Sequence, residues 1–352
     1  LNILALIGNK RRVGAVDVYR VTMPLTYVDN KSEMHCGWMP KSSLAMQIQH
    51  GETEILNQDI IVLAKFLAEE DAGDYVGYLK SRGAKVVYET DDDYSGRYRE
   101  ADDKPGDWHA ILDHVDAVTV STPYLADLAR KDSGGKPVHV CPNAIQLEWF
   151  SKVSREAIDA FPDQVTVMVA GTKTHQEDWR VMAEVMPGIL ADYPDVEFLA
   201  VCEKEYYEYL DATFMAPAQY RQYPALLRQA DILCAPLIPE DQFNWSKSPI
   251  KAIEGWSAER KITKTRQGGC AIVASKAEPY KGVVQNRHNG LLVDHTPEAW
   301  DEALRLLIED RLLRQKLQYE GLKDAKRYDI EQRWEDWYRA YKSIGGQHDS
   351  SS

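Results

Sequence analysis

Several things are scarce in this chain, and each scarcity closes off a class of protein. Its 352 residues hold five cysteines, Cys36, Cys141, Cys202, Cys234 and Cys270, scattered, odd in number and without a C-x-x-C pair. That pattern supports neither a disulfide framework nor a zinc site, and reads as reduced core thiols of a cytoplasmic protein. No apolar run approaches the roughly 20 residues that span a bilayer. The opening stretch Leu1 to Ile7 reads as a strand and not as a signal peptide. Positive charge is also short, with 42 Lys and Arg against 55 Asp and Glu and a formal net charge of -13. Bulk attraction to nucleic acid is excluded, although a local basic patch is not. There is no repeat of solenoid length and no low-complexity tract.

What is present is ordinary globular material, 44% hydrophobic and 28% charged, in a chain long enough for two domains. Runs rich in Val, Ile and Leu at Leu1 to Gly8, Asp59 to Lys65, Lys85 to Thr90, Ala117 to Thr122 and Val138 to Cys141 predict strands. Helix-period segments at Tyr75 to Arg82, Trp108 to His114 and Pro123 to Lys131 alternate with them, which predicts a parallel sheet wrapped by helices. The rhythm restarts at Val165 to Gly171 and continues through a helix at Glu177 to Asp192, strands at Val196 to Val201, Asp231 to Leu237, Cys270 to Ser275 and Leu291 to Val293, and helices at Pro297 to Glu309 and Arg311 to Arg327. The expected fold class is α/β, with two Rossmann-like doubly wound domains facing a cleft, over 1–150 and 151–327. The strongly aromatic segment 328–344 reads as a helix that has to dock on something, and 345–352 as a disordered tail.

The densest chemistry lies between Asp231 and Asp294. A short apolar strand ending at Pro236 and Pro239 stops at the carboxyl edge of a parallel sheet, where open α/β sheets bind ligands. Asn244, Lys247, Ser248 and Lys251 follow, at a loop-to-helix junction. Free backbone N–H groups and the positive dipole end point outward from such a junction, and two lysines beside it make a diphosphate cradle. Glu254 lies seven residues after Lys247, two helical turns on and on roughly the same face, where a carboxylate could accept ribose hydroxyls.

The order of these motifs resembles glycosyltransferase family 4 in the broad sense, in a bacterial and phage-type branch, over nearly the whole chain. Gly14-Ala-Val-Asp-Val-Tyr-Arg20 followed by Pro24 resembles that family's glycine-bearing loop after the first strand. Val86-Val-Tyr-Glu-Thr-Asp91-Asp92-Asp93 is similar to its acidic strand end. Ala117 to Thr122 and Val140-Cys-Pro142-Asn143 match the next two strand ends. Gly171-Thr172-Lys-Thr174-His175-Gln-Glu-Asp178 looks like the loop that opens the donor site, and Trp300 to Leu307 the helix after the final strand. One departure stands out: many members carry two glutamates eight positions apart, and counting back from Glu254 reaches Ser246. A second is the long basic stretch Glu259 to Gly269, read either as a solvated loop or as a contact for the donor or an anionic acceptor.

The resemblance implies the GT-B fold, with the helix 328–344 crossing back to pack on the first domain, and transfer of a sugar from a nucleoside-diphosphate sugar, with retention and without a divalent metal. It implies Lys247, Glu254 and Asp92 as catalytic residues, with Gly14, Gly171, Thr172, His175, Asn244, Ser248 and Lys251 on the donor. Arg20, Asp91 and Asp93 fall on the acceptor side, with Arg20 read either as touching acceptor or phosphate or as pairing with a carboxylate across the cleft. The D-x-D spacing of Asp91 to Asp93 leaves open a divalent cation, an acceptor contact or a solvated turn. The acceptor stays open among a growing glycan, a lipid-linked sugar, a protein and a hydroxymethylated base in phage DNA. A transferase-shaped binding or scaffolding protein without turnover is the alternative.

Overall fold

The apolar runs become parallel strands. The computed structural model describes residues 1–8, 13–65, 72–95, 108–151, 164–263 and 265–346. Residues 152–163, at the start of the expected second domain, and the tail from 347 lie outside this set. The chain divides into two compact units, one of Leu1–Ala144, Ser246–Ser248 and the C-terminal segment from Ile330, the other of Ile145–Trp245 and Pro249–Asp329.

In the first unit β1 (Asn2–Ile7), β2 (His35–Pro40), β3 (Ile60–Ala64), β4 (Lys85–Thr90), β5 (Ala117–Val120) and β6 (Val138–Val140) form one sheet in the order β2-β1-β3-β4-β5-β6. All five pairings are parallel, with Ile3 opposite both Cys36 and Ile60. Strands buried on both faces explain the continuous Val, Ile and Leu runs. Leu6, Ile61, Leu63, Val86, Tyr88 and Val118 carry the core. Its helices are α1 (Ala15–Asp17), α2 (Met23–Lys31), α3 (Lys41–Gln49), α4 (Ala72–Ser81), α5 (His109–Leu112) and α6 (Pro123–Asp132), with one π-helical turn at Val18–Thr22. Thr122 caps α6 by accepting from the Leu125 N–H, and Pro123 takes its first position. Sequence reading passed over β2 and α3. His-Cys-Gly-Trp-Met-Pro has no β-branched residue, and it forms an edge strand where burial does not force one.

The second unit contains α7 (Leu147–Ser151), β7 (Val165–Ala170), α8 (Arg180–Asp192), β8 (Val196–Val201), β9 (Thr213–Met215), α9 (Tyr223–Leu227), β10 (Ile232–Ala235), α10 (Gln242–Ser246) and α11 (Ile250–Ser257). A two-residue hairpin, β11 (Arg260–Lys261) and β12 (Gln267–Gly268), precedes β13 (Ala271–Ser275), β14 (Gly290–Val293), α12 (Pro297–Glu309) and α13 (Arg311–Ala325). The sheet order is β14-β13-β10-β7-β8-β9, again all parallel. Counted within the unit this is the dinucleotide-binding order, which reverses direction between β7 and β10.

The last helix, α14 (Ile330–Gly346), belongs to the first unit and packs on α2, as the family resemblance implied. Trp337 and Tyr341 are buried there, and the Trp334 ring packs on Tyr338 at a tilt of 53°, with centroids 5.7 Å apart. Lys31 pairs with Glu331 at 3.1 Å, and Tyr338 donates to Glu33 at 3.1 Å. Exposed pairs of this kind contribute little, so the buried aromatics carry the docking.

Two glycines show how tightly α11 sits in the second unit. Trp256 is fully buried and donates its indole N–H to the Asn289 carbonyl at 2.7 Å. A Cβ on Gly321 would lie 2.2 Å from its ring. Gly321→Ala should therefore lower stability by about 1–3 kcal/mol through overpacking. Gly188→Ala on α8, whose Cβ would meet nothing nearer than 4.0 Å, should leave it unchanged or raise it by about 0.5–1 kcal/mol. Urea melts of the two variants measure the contrast.

Candidate functional site

Open parallel sheets bind ligands outside the carboxyl ends of their strands, at the point where strand order reverses. In the second unit that point lies between β7 and β10, and the sequence puts its most unusual loops there. After β7 the chain turns at Gly171, whose absent side chain makes room for two rings. A Cβ there would lie 2.9 Å from both His175 Cδ2 and Trp179 Cζ2. The Thr172 carbonyl accepts from the Tyr207 hydroxyl, and the Tyr207 ring packs on Trp179 at 4.3 Å. His175 Nδ1 lies 2.9 Å from Asp178 Oδ2. After β10, Ile238 N–H and Asn244 Nδ2 both donate to Asp178 Oδ1, at 2.9 and 2.8 Å. The structure thus brings Gly171, Thr172, His175 and Asn244 together, through an aspartate that sequence reading quoted but gave no role.

The α11 start is the second cluster. Pro249 is its N-cap, and the helix begins at Ile250. This corrects one expectation: Lys247 precedes the helix, so it and Glu254 do not share a helical face two turns apart. A proline disfavours helical backbone in the residue before it. Glu254 instead meets Lys251, with Nζ 3.4 Å from Oε2, while Nζ is 3.3 Å from the Tyr223 hydroxyl. Burial works against the Lys251 charge, but Glu254 and Tyr223 outweigh it and hold its pKa above the ordinary lysine value.

Sequence reading also missed His295. Ser275, at the end of β13, accepts from the Leu237 N–H at 3.0 Å and lies 2.9 Å from His295 Nδ1. The serine oxygen thus sits between the Leu237 N–H and the His295 ring and ties the ends of β10 and β14 to β13. Burial depresses the His295 pKa, against the opposing pull of Asp178 and Glu240. No spacing rule links Ser275 to a histidine twenty residues on; adjacent parallel strands do.

In the first unit strand order reverses between β1 and β3. Residues 9–12 of the loop after β1 lie outside the described set. Gly14 then caps α1, its N–H donating to Asp17 Oδ2 at 2.9 Å. Arg20 requires a correction. Placed on the acceptor side by sequence, it is 2% exposed and directs its guanidinium inward. Nε and Nη2 donate to Glu89 at 2.7 and 3.1 Å, and Nη1 to the Cys141 carbonyl and to Asn143 Oδ1. Thr119 donates to the same glutamate at 2.6 Å, and the Trp337 ring lies 5.4 Å from the Arg20 guanidinium. Burial opposes the Arg20 charge, yet Glu89 holds its pKa above the usual value. Glu89 belongs to the same unit as Arg20, so this is not the carboxylate across the cleft that sequence reading weighed as the alternative.

Asp91 and Asp92 gather at Lys65, which ends β3 with a positive φ of 49°. Lys65 Nζ is 2.8 Å from Asp91 Oδ1 and 3.8 Å from Asp92 Oδ2. Asp93 is buried; its Oδ1 accepts from the Ser95 N–H, and its own N–H donates to Ser246 Oγ at 3.3 Å. Thr122 donates to the Ser246 carbonyl, and Asn143 Nδ2 to Ser248 Oγ at 2.8 Å. The segment carrying Lys247, half-buried, is thus hydrogen-bonded to first-unit residues. Among the described residues no group of three or more His, Cys, Asp or Glu is placed to hold a metal ion. No described helix is long and apolar enough to cross a membrane. The basic stretch forms the β11–β12 hairpin, with Arg260 paired to Asp231 and Arg266 5.5 Å from the Tyr319 ring centroid; Lys264 lies outside the described set.

Two parallel six-stranded α/β units, with the last helix packed on α2 of the first, make this a protein of the GT-B architecture. Residues 163–310 match the model of glycosyl transferases group 1, in line with the GT4-like resemblance of the sequence. Sucrose-phosphate synthase from Thermosynechococcus elongatus superposes with a TM-score of 0.70 at 14% identity, covering 99% of this chain and all of that one. HepE of Anabaena, solved with UDP and glucose, gives 0.68 at 13% identity over 97% of this chain and 99% of that one. A glycosyltransferase from Rickettsia africae gives 0.64 at 13% identity over 99% of both chains. Likeness at such identities is one of fold. No curated protein sequence matches the chain.

Two predictions follow from these clusters. Glu89→Ala strands a buried guanidinium and should cost about 3–5 kcal/mol, much of it recovered in Arg20→Met/Glu89→Leu, as urea melts of the two would read. His295 has a lowered folded-state pKa, so what it contributes is complete above its ordinary pKa of about 6.5 and is lost as pH falls below that. The melting-temperature advantage of wild type over His295→Ala should therefore shrink between pH 7 and pH 5.

Proposed function

We propose that the protein transfers a sugar from a nucleoside-diphosphate sugar to an acceptor hydroxyl, with retention and without a divalent metal, in the cytoplasm. The observation that carries this reading is the loop and helix cluster of Gly171, His175, Asn244 and Lys251 at the β7/β10 reversal, inside the segment matching group 1 glycosyl transferases. Structures of similar fold have been solved with UDP, with UDP-glucose and with UDP-2-fluoro glucose. Their ligands support a nucleotide sugar as the donor here.

On this reading 151–327 is the donor domain and 1–150 the acceptor-side domain, with 328–344 its closing helix. Gly14 and Gly171 let backbone approach the donor, while Thr172, His175, Asn244 and Ser248 hydrogen-bond to it. Breaking the bond from the anomeric carbon to the diphosphate leaves positive charge on the sugar ring and negative charge on the phosphate. Lys247, Lys251 and the N–H groups opening α11 neutralise the phosphate. Glu254 keeps Lys251 charged and fixed in place, a role its burial beside that amine supports better than a ribose contact. The acceptor oxygen bonds to the anomeric carbon on the face the phosphate leaves, and its proton passes to the departing phosphate. No enzymic nucleophile is required.

Asp92 and Asp93 take the acceptor hydroxyl. Asp93 Oδ2 is buried without a hydrogen-bond partner among the described residues, which suits a carboxylate that accepts from a substrate hydroxyl. Asp91, neutralised by Lys65, orients that run.

A thermal-shift panel of nucleoside diphosphates and their sugars, with and without magnesium, tests the reading, because a ligand of the native state raises its melting temperature. One nucleotide family should stabilise the protein equally in either condition. Lys247→Ala should retain the melting temperature and lower kcat about 100-fold. Silence across the panel, or stabilisation only with metal, would remove the donor site as described.

A further inference from the structure

The chain carries 42 Lys and Arg against 55 Asp and Glu, yet on α13 every exposed residue is basic, apolar or aromatic: Arg311, Leu312, Lys316, Tyr319 and Lys323. The last four fall in one narrow stripe, opposite the buried Leu317, Gly321 and Ala325. The acids of this segment are spent elsewhere. Asp310 caps the helix by accepting from the Leu313 N–H at 2.8 Å, Glu320 pairs with Lys323 at 2.8 Å, and Asp324 with Arg327 at 2.7 Å. Leu312, 79% exposed, is the most exposed large hydrophobic side chain among the described residues.

The β11–β12 hairpin adds exposed Lys261 and Arg266 beside the stripe. Gln315 Nε2 donates to the Ile262 carbonyl at 3.0 Å, and a Cβ on Gly268 would come within 2.9 Å of the Gln318 backbone, so hairpin and helix form one surface. The Arg266 guanidinium and the Lys323 amine lie 5.5 and 5.3 Å from the Tyr319 ring centroid. Gln318 donates to the carbonyl of Asp231, just before β10, and Lys316 to that of Arg287, shortly before β14. The surface therefore lies at the amino ends of the strands, the edge away from the crevice, and can be occupied without covering the donor site.

We propose that this face is a membrane-contact surface: Leu312 enters the acyl boundary of an anionic phospholipid bilayer, Tyr319 lies at headgroup level, and Lys261, Arg266, Lys316 and Lys323 meet the lipid phosphates. Cations grouped around an exposed apolar side chain and an aromatic ring are complementary to such a bilayer. Nucleic acid would use the cations but leave Leu312 in water, and two cations already hold the Tyr319 ring where a base would have to stack. A second copy related by a two-fold axis would set these cations against their own equivalents.

Co-sedimentation of the full chain with vesicles tests the assignment. The protein should bind vesicles of phosphatidylcholine mixed with phosphatidylglycerol, more weakly as salt is raised, and should not bind phosphatidylcholine alone. Lys316→Gln should lower the partition coefficient about fivefold, and Leu312→Ser about tenfold. Both positions are exposed, so the melting temperature and any stabilisation by nucleoside diphosphates should match wild type. Lys131→Gln, at an exposed lysine of α6, should leave vesicle binding as it is.

No binding to the anionic vesicles, equal binding to neutral ones, or wild-type binding by both Lys316→Gln and Leu312→Ser would overturn the proposal. So would duplex DNA that displaces the protein from vesicles with an affinity sensitive to Lys316→Gln and indifferent to Leu312→Ser, which would make the face a nucleic-acid surface.

Discussion

Parallel strand pairing is the constraint on which the rest depends. Because every strand in both sheets points the same way, all the strand-ending loops of a unit gather along one edge. The reversal of strand order then opens a crevice at one place on that edge. Residues far apart in sequence, such as Asp178 and Asn244 or Ser275 and His295, meet because adjacent strands deliver them to neighbouring loops. Nothing in the local propensity of those segments would do it.

The two edges handle charge differently. At the first unit's edge the large cost of burying Arg20 is met by a two-point pairing with Glu89 and by Thr119, Asn143 and the Cys141 carbonyl. A cluster so fully satisfied is scaffold: it ties α2's approach to the ends of β4, β5 and β6. Asn143 extends it, accepting from Arg20 and donating to Ser248. At the second unit's edge, Lys251 and Glu254 sit at a helix start and His175 at a loop, with part of each side chain open to solvent in the case of the lysine and the histidine. Charge held in that way can answer a ligand.

Much of the fold was legible, for a physical reason. β4, β8 and α12 run over the residues their patterns marked, because buried parallel strands need unbroken apolar runs and amphipathic helices need their stripe. β2 and β9 were not legible. Both are edge strands: His-Cys-Gly-Trp-Met-Pro has no β-branched residue and no aliphatic run, Thr-Phe-Met is only three residues long, and each takes its conformation from the one neighbour it pairs with. The spacing argument joining Lys247 to Glu254 assumed one continuous helix, and Pro249 breaks it.

By itself, then, the sequence determined two parallel α/β units, the loops that end their strands, and the resemblance to a glycosyltransferase family, since these rest on periodicity and on motifs read within a few tens of residues. Tertiary structure alone decided which charges are scaffold and which are presented. Arg20 and Lys251 look alike as basic residues near a loop, and only the packing around them buries one against Glu89 and sets the other at a helix start. Burial and hydrogen-bond partners are properties of neighbours in space, and no spacing along the chain encodes them.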